Sequence, residues 1–181
     1  MERARKEQLS LSVQRMVALE IAVCGILNRA ARPRQIQLFF ICVSRLGDGG
    51  VWYAAMLALP LLFGERGLST SLQMIQVGAI NLVIYKTVKH LAGRARPCDV
   101  DPRISISTAP LDQYSFPSGH TMHAVAFSTV ITAHHAELTW WLVPLSSLIA
   151  LSRLILGLHF PTDVAAGALI GGYVASVWIA L

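Results

Sequence analysis

The sequence predicts an all-α fold, a polytopic membrane helical bundle of five to six transmembrane helices. Hydrophobic residues make up 54% of the 181 residues and charged residues only 14%, whereas a soluble domain usually carries about 25% charged residues. The apolar residues also form runs close to the roughly 20 residues that a bilayer-spanning helix needs. The length indicates one domain over residues 1–181.

Five apolar runs are predicted to span the membrane. They are Gly49–Gly64, Leu72–Tyr85, Thr121–Ala133, Leu138–Leu151 and Val164–Leu181. Pro60 in the first run is compatible with a membrane helix, because neighbouring helices satisfy the backbone groups that a proline frees. Gly167 and Gly171 in the last run have the spacing of two small residues on one helix face, which predicts close helix packing.

The N-terminal residues 1–48 give a weaker signal than the predicted core, residues 49–181. Met16–Asn28 is short and carries Glu20, so this segment either crosses the membrane or lies in its interface. Ile36–Leu46 is predicted to be a short amphipathic helix that leads into the core. We expect no cleavable signal, because no apolar stretch with a small-residue cleavage site follows the charged N-terminus.

A polar stretch, Lys86–Gly119, separates the second and third predicted spans and is predicted to be a loop. If the spans alternate in direction, four segment ends on one side of the membrane bring polar residues together. These residues are Lys89, Arg96, Ser118, His120, Arg153, His159 and Asp163. Ionisable groups at membrane depth are costly, and by default they indicate a functional site.

Three of these residues, Lys89, Arg96 and Arg153, are cations, which predicts a multiply charged anion such as phosphate as the ligand. Ser118 and Gly119 stand at a predicted helix N-terminus, where free N–H groups and the helix dipole favour an anion. Gly119 allows the backbone to approach that ligand closely. Helix capping by the Ser118 hydroxyl is the alternative, and the two roles are compatible.

His159 and Asp163 are four residues apart, with Pro161 at the expected first turn of the last helix. The spacing allows the carboxylate to bond one ring nitrogen of His159 and leave the other free to attack phosphorus. His120 is then the candidate general acid for the leaving oxygen. We expect a two-step displacement, in which His159 takes the phosphoryl group and water later releases phosphate.

Neither a metal ion nor another cofactor is expected. No carboxylate cluster suited to Mg²⁺ or Zn²⁺ accompanies the site residues. The three cysteines, Cys24, Cys42 and Cys98, lack the spacing of metal ligands or of a disulfide framework. The net charge of +5 comes from cations that lie between apolar runs, so a nucleic acid partner is not expected.

The three clusters resemble the signature motifs of the type 2 phosphatidic acid phosphatase superfamily, which also includes the vanadium haloperoxidases. They read K-x6-R-P from Lys89, P-S-G-H from Pro117 and S-R-x5-H-x3-D from Ser152, complete and in family order. The resemblance implies a helical core, usually with six membrane helices, and a phosphohistidine mechanism. It gives phosphate-binding roles to Lys89, Arg96, Ser118, Gly119 and Arg153, and it makes His159 the nucleophile, Asp163 its partner and His120 the general acid.

The resemblance and the apolar spans together predict an integral membrane lipid phosphatase, a metal-independent hydrolase of phosphate monoesters or diphosphates. The expected substrates are a polyprenyl diphosphate, phosphatidylglycerophosphate or phosphatidic acid, met in the bilayer. The alternatives are a lipid phosphotransferase with the same site, and a non-catalytic lipid phosphate-binding or transport protein. The pairing of His159 with Asp163 argues against the non-catalytic alternative, because binding alone does not need it.

The orientation has two opposing indications. A count of positive charges places the site in the cytoplasm, although a phosphate site itself recruits cations. The family more often faces outward, which requires Met16–Asn28 to cross the membrane. We expect a bacterial inner-membrane protein with both termini inside and the site facing the periplasm.

The remaining histidines and one arginine are interpreted as structural. His123 is interpreted as a packing residue or a polar handle. His90 and Arg94 are interpreted as solvated loop residues, with contact to the substrate headgroup as the alternative. His134 and His135 end the third predicted span and are expected on the opposite face from the site.

Overall fold

The computed structural model describes residues 2–106, 108–110 and 112–181, with side chains from Ser12 onward except that of Val13. The helices in these residues are α1 (Glu2–Ala30), α2 (Arg34–Leu46), α3 (Gly50–Ala92), α4 (Pro97–Val100), α5 (Gly119–His134), α6 (Thr139–Ile155) and α7 (Pro161–Ala180), with a 3₁₀ turn at Ala136–Leu138. No strand occurs among the described residues, so the all-α prediction is confirmed.

Helix α3 is a helical hairpin rather than one straight helix. Gly64 has φ 57° and ψ −133°, a conformation that favours glycine because it has no Cβ. The two arms, residues 50–63 and 65–92, fold back on each other, since the Ser71 hydroxyl donates to the Met56 carbonyl oxygen at 2.8 Å. These arms contain the first two predicted spans.

The prediction of a loop over Lys86–Gly119 is wrong for the first residues of that stretch, which are helical. The second arm of α3 stays helical to Ala92, and Gly93 follows it as the C-cap. The apolar run ends earlier, at Tyr85, because the last two turns approach a polar site in the bundle, where Lys89 is buried. Within the rest of the stretch, α4 is the one short helix among the described residues.

Three described elements are long and apolar enough to cross a membrane: Gly50–Val100, Ala136–Ile155 and Pro161–Ala180. The first of them includes both arms of α3. Helix α5 has 16 residues, fewer than the roughly 20 of a typical spanning helix. The total of five to six spans stays a prediction.

Helix α5 is the centre of the bundle and packs against α3, α6 and α7. Its contact with α7 is close because Gly167 and Gly171 have no side chains. A Cβ at Gly167 would lie 2.5 Å from the Ser118 carbonyl oxygen, and one at Gly171 would lie 2.1 Å from that of Met122. The predicted close packing is confirmed, and it places the start of α7 beside the start of α5.

The N-terminal helices, α1 and α2, pack against the bundle. The end of α1 contacts the end of α6. Helix α1 contains Met16–Asn28 and packs against α6 and α7. The amide of Asn28 donates to the Ile155 carbonyl oxygen at 3.0 Å. The predicted short helix over Ile36–Leu46 lies within α2, which packs against α6.

We expect Gly171→Ala to lower the free energy of unfolding by about 1–3 kcal/mol, because the added Cβ overlaps the α5 backbone. Thermal unfolding in detergent measures the change. Gly172→Ala is the matched control, since a Cβ there meets only the Val125 side chain at 3.6 Å. Equal thermal midpoints for the two variants would contradict the close α5–α7 contact.

Candidate active site

A cavity of about 360 Å³ opens among α3, α5 and the segment between α6 and α7. Most of the predicted site residues line one end of it: Lys89, Arg96, Gly119, His120, Arg153 and His159. The two other predicted residues, Ser118 and Asp163, are fully buried behind this surface. The structure therefore brings together all eight residues that the three motifs supply.

Two of the cations share one carboxylate oxygen. Lys89 Nζ donates to Asp112 Oδ1 at 2.5 Å, and Arg96 Nη2 donates to the same oxygen at 2.6 Å. Lys89 also donates to the Tyr114 carbonyl oxygen at 2.7 Å. An anionic oxygen between two buried cations is the arrangement that a phosphate oxygen would adopt there. Asp112 lies in the polar stretch Lys86–Gly119 and was not predicted as a site residue.

Arg96 and Arg153 each form a hydrogen bond to the protein and each also has an N–H group without a partner among the described residues. Arg96 Nη1 donates to the Leu158 carbonyl oxygen at 2.7 Å, and Arg153 Nη1 donates to the Ser44 hydroxyl. The Nε–H groups of both arginines are buried and have no hydrogen-bond partner among the described residues. Because buried donors are normally paired, these groups are available to an anion in the cavity.

His159 lies in the connection between α6 and α7 and is 1% exposed. Burial, and then the charges of Arg153, Arg96 and Lys89, hold the pKa of His159 well below its ordinary value of 6.5. The imidazole is therefore neutral at neutral pH. A neutral imidazole has an unprotonated ring nitrogen, which nucleophilic attack on phosphorus requires.

The predicted hydrogen bond between His159 and Asp163 is not formed in the structure. Nδ1 of His159 lies 3.7 Å from Asp163 Oδ2 and has no hydrogen-bond partner among the described residues. The reason is competition for the carboxylate. Oδ2 accepts the Phe160 N–H at 2.8 Å, and Oδ1 accepts Arg94 Nη1 at 2.6 Å.

Ser118 joins the start of α5 to the start of α7. Its N–H donates to the Asp163 carbonyl oxygen at 3.0 Å. Its hydroxyl lies 3.0 Å from the Thr121 hydroxyl and forms no capping bond to the α5 backbone, so the capping alternative is not what the structure shows. Gly119, next in the chain, lines the cavity.

His120 contacts a carboxylate that sequence reasoning missed. Its Nε2 lies 2.7 Å from Asp48 Oδ1, in the connection between α2 and α3. The approach is close because a Cβ at Gly47 would lie 2.9 Å from the His120 ring. The available sequence signal was an acidic residue in Gly-Asp-Gly-Gly just before the first core helix. Burial, and then the Arg153 charge, lower the pKa of His120 to about 4, and the Asp48 carboxylate acts in the opposite direction by favouring the protonated imidazole.

The interpretation of Arg94 as a solvated residue is wrong. Its guanidinium pairs with Asp163, as described, and with Glu20 Oε2 of α1 at 2.5 Å. Both carboxylates are buried, and the ion pairs compensate part of the cost of burying them. The sequence offered one indication of this ion pair: Glu20 lies in an apolar helix, where a carboxylate needs a partner.

Three further histidines have defined contacts in the bundle. His123 Nδ1 donates to the Gly119 carbonyl oxygen at 2.9 Å and its ring contacts Phe127, but His123 also lines the cavity, so its interpretation as a packing residue stays a prediction. His135 contacts the Thr70 hydroxyl at 3.1 Å, near the Gly64 reversal. His134 and His135 therefore lie at the end of the bundle away from His120 and His159.

The far end of the cavity is apolar. It extends between the two arms of α3 and reaches α5. Its lining there consists of Trp52, Tyr53, Met56, Met74, Ile75, Leu82 and Phe127, with Gly78 and Ala79. One continuous space thus joins a cationic end to an apolar end.

No group of three or more His, Cys, Asp or Glu side chains in the described residues is arranged to hold a metal ion. Metal independence stays a prediction.

Comparisons with known proteins identify a family and several relatives of the chain. The PAP2 superfamily model matches residues 67–181. An undecaprenyl-diphosphatase of Sulfolobus acidocaldarius is 28% identical over 150 residues, 82% of this chain and 70% of that protein. A decaprenylphosphoryl-5-phosphoribose phosphatase of Mycobacterium tuberculosis is 36% identical over 91 residues, 50% of this chain and 49% of that protein. The chain thus spans about half the length of the mycobacterial relative.

A solved structure shows the same fold. LpxE of Aquifex aeolicus superposes with a TM-score of 0.78 at 26% identity, over 90% of this chain and 96% of that one.

The fold and the relatives define a helical integral membrane protein with a cavity that cations and histidines line. The chain belongs to the PAP2 superfamily. The resemblance seen in the three motifs is confirmed.

We expect Asp48→Asn to lower kcat/KM for dioctanoyl phosphatidic acid by about tenfold to a hundredfold, because His120 loses the carboxylate that favours its proton. The alkoxide that leaves this substrate needs a proton. The loss for 4-nitrophenyl phosphate should be about threefold or less, because nitrophenolate leaves without one. Phosphate release measures both rates.

The matched control for Asp48→Asn is Asp101→Asn, which removes a loop carboxylate paired with Arg103 and should leave both rates within about twofold. Equal losses on the two substrates in Asp48→Asn would show that Asp48 does not act through His120.

Proposed function

We propose that this chain hydrolyses a lipid phosphate or diphosphate through a phosphohistidine intermediate. The shape and lining of the cavity are the main support for this proposal. Its cationic end contains Lys89, Arg96 and Arg153 around His159, and its other end is apolar. That combination complements an amphiphile with a phosphate head and a hydrocarbon tail.

In the first step, Nε2 of His159 attacks phosphorus, an N–P bond forms, and the P–O bond to the lipid breaks. His120 donates its proton to the leaving oxygen, and Asp48 holds His120 in place. The three cations stabilise the charge that develops on the phosphoryl oxygens. In the second step, His120 accepts a proton from water, the oxygen attacks phosphorus, and the N–P bond breaks to give phosphate and free His159.

The substrate class follows from the apolar end of the cavity and from the relatives. The two phosphatases named above act, by their names, on undecaprenyl diphosphate and on decaprenylphosphoryl-5-phosphoribose. We place polyprenyl diphosphates first among the substrates, ahead of phosphatidylglycerophosphate and phosphatidic acid.

A panel of phosphates tests the function. We expect detergent-solubilised protein to release phosphate from farnesyl diphosphate or a phospholipid monoester, with and without EDTA. Glycerol 3-phosphate, which has no tail, should show a kcat/KM lower by about a hundredfold or more, because its binding leaves the apolar end unfilled. His159→Ala should lower kcat by about 10³-fold or more.

His134→Ala, at the opposite end of the bundle, is the control for the loss of a histidine. Activity that survives His159→Ala would overturn the mechanism. Loss of activity in EDTA would overturn metal independence. Labelled phosphate that appears on an acceptor lipid instead of in solution would identify a phosphotransferase.

We also propose that the protein lies in a bacterial inner membrane with the site facing the periplasm. A membrane-impermeant maleimide should then label Cys98, which follows the Arg96-Pro97 motif, in intact cells. Cys98→Ser is the background control, and labelling of Cys98 only after permeabilisation would reverse the orientation.

A further inference from the structure

A closed cluster of charged and polar groups connects α1 to the site residues. Arg94 lies between two carboxylates, with Nη2 donating to Glu20 at 2.5 Å and Nη1 donating to Asp163 at 2.6 Å. The Thr162 hydroxyl and N–H both donate to Glu20 Oε1, at 2.6 and 2.9 Å. The cluster is sealed on one side by Phe160, whose ring centroid lies 4.2 Å from the Arg94 guanidinium carbon.

The charges in this cluster do not cancel. When both carboxylates are ionised, Glu20, Asp163 and the Arg94 guanidinium together carry one net negative charge. Without Glu20, the Arg94 guanidinium would cancel the charge of Asp163, whose Oδ2 lies 3.7 Å from His159 Nδ1. Three cations, Lys89, Arg96 and Arg153, line the cavity together with His159, so the charge beside Nδ1 affects what the ring can do.

The chemistry of the proposed reaction needs that negative charge. When His159 takes the phosphoryl group through Nε2, its ring gains positive charge and Nδ1 keeps a proton. A carboxylate beside Nδ1 stabilises this state and holds the ring in the productive orientation. An Asp163 neutralised by a tight guanidinium pair would do so poorly.

We propose that Glu20 is a positioning residue for the reaction, which offsets the charge of Arg94 so that Asp163 acts as an anion beside His159. The inference rests on the proposed function. It assigns a specific task to α1, which supplies none of the three motifs.

Helix α1 also offers a matched control. Asn28, two turns after Glu20, anchors the same helix through hydrogen bonds to Ile155 and Ser105. It carries no charge, and those contacts are away from Arg94 and Asp163. A variant at Asn28 therefore loosens α1 without altering the net charge of the cluster.

The test compares Glu20→Gln with Glu20→Asp in the full chain, with farnesyl diphosphate as the probe. Glutamine keeps the shape of glutamate and loses the charge, whereas aspartate keeps the charge and loses reach. We expect Glu20→Gln to lower kcat by about tenfold to a hundredfold with KM within about threefold. We expect Glu20→Asp to retain more activity than Glu20→Gln.

A second comparison removes both charges. In Glu20→Gln combined with Arg94→Gln, Asp163 again provides the one net negative charge. We expect kcat of the double variant to exceed that of Glu20→Gln alone, whereas two losses of anchoring contacts would add. Asn28→Ala should keep kcat within about threefold of the wild type.

The inference is overturned if Glu20→Gln keeps the wild-type kcat, if Glu20→Asp is the weaker of the two, or if Asn28→Ala reproduces the loss. Thermal unfolding of each variant identifies any that fail to fold, and Glu20→Asp then decides the question. Failure of the proposed function is distinguishable, because it appears as a wild type without turnover or as an active His159→Ala.

Discussion

One buried residue, Asp163, connects the three segments that carry the site. Its carbonyl oxygen accepts the Ser118 N–H, and its carboxylate accepts the Phe160 N–H and the Arg94 guanidinium. A buried carboxylate is strongly destabilising unless these partners are present. The segments therefore have to assemble together. The glycines of α7 at its contact with α5 have no side chains, so the two helices can approach closely enough for these bonds to form.

The cations of the site have two effects that work in the same direction. In the proposed mechanism they attract the phosphate, and burial together with their charges holds the pKa of His159 low, so that the proposed nucleophile is neutral. Asp112 lies against Lys89 and Arg96. This carboxylate offsets part of the charge that a phosphate would otherwise neutralise.

The part of the site that could be predicted is the part encoded by local spacing. His120, His159 and the cations occur at the ends of apolar runs, and alternating spans place those ends on one face. Glu20 and Asp48 could not be assigned in this way. Each acquires its role from one partner far along the chain, 74 residues away for Glu20 and Arg94, and 72 for Asp48 and His120. Sequence periodicity shows which residues share a helix face but not which side chains meet across a bundle.

In the proposed mechanism, phosphate passes through His159. This step can be tested by rapid mixing with farnesyl diphosphate labelled in its terminal phosphate, quenched in alkali within milliseconds. A phosphohistidine intermediate predicts a labelled polypeptide whose label survives alkali, is lost in acid and is absent from His159→Ala. Phosphate release with no labelled chain, or a label that is stable in acid or persists in His159→Ala, would contradict it.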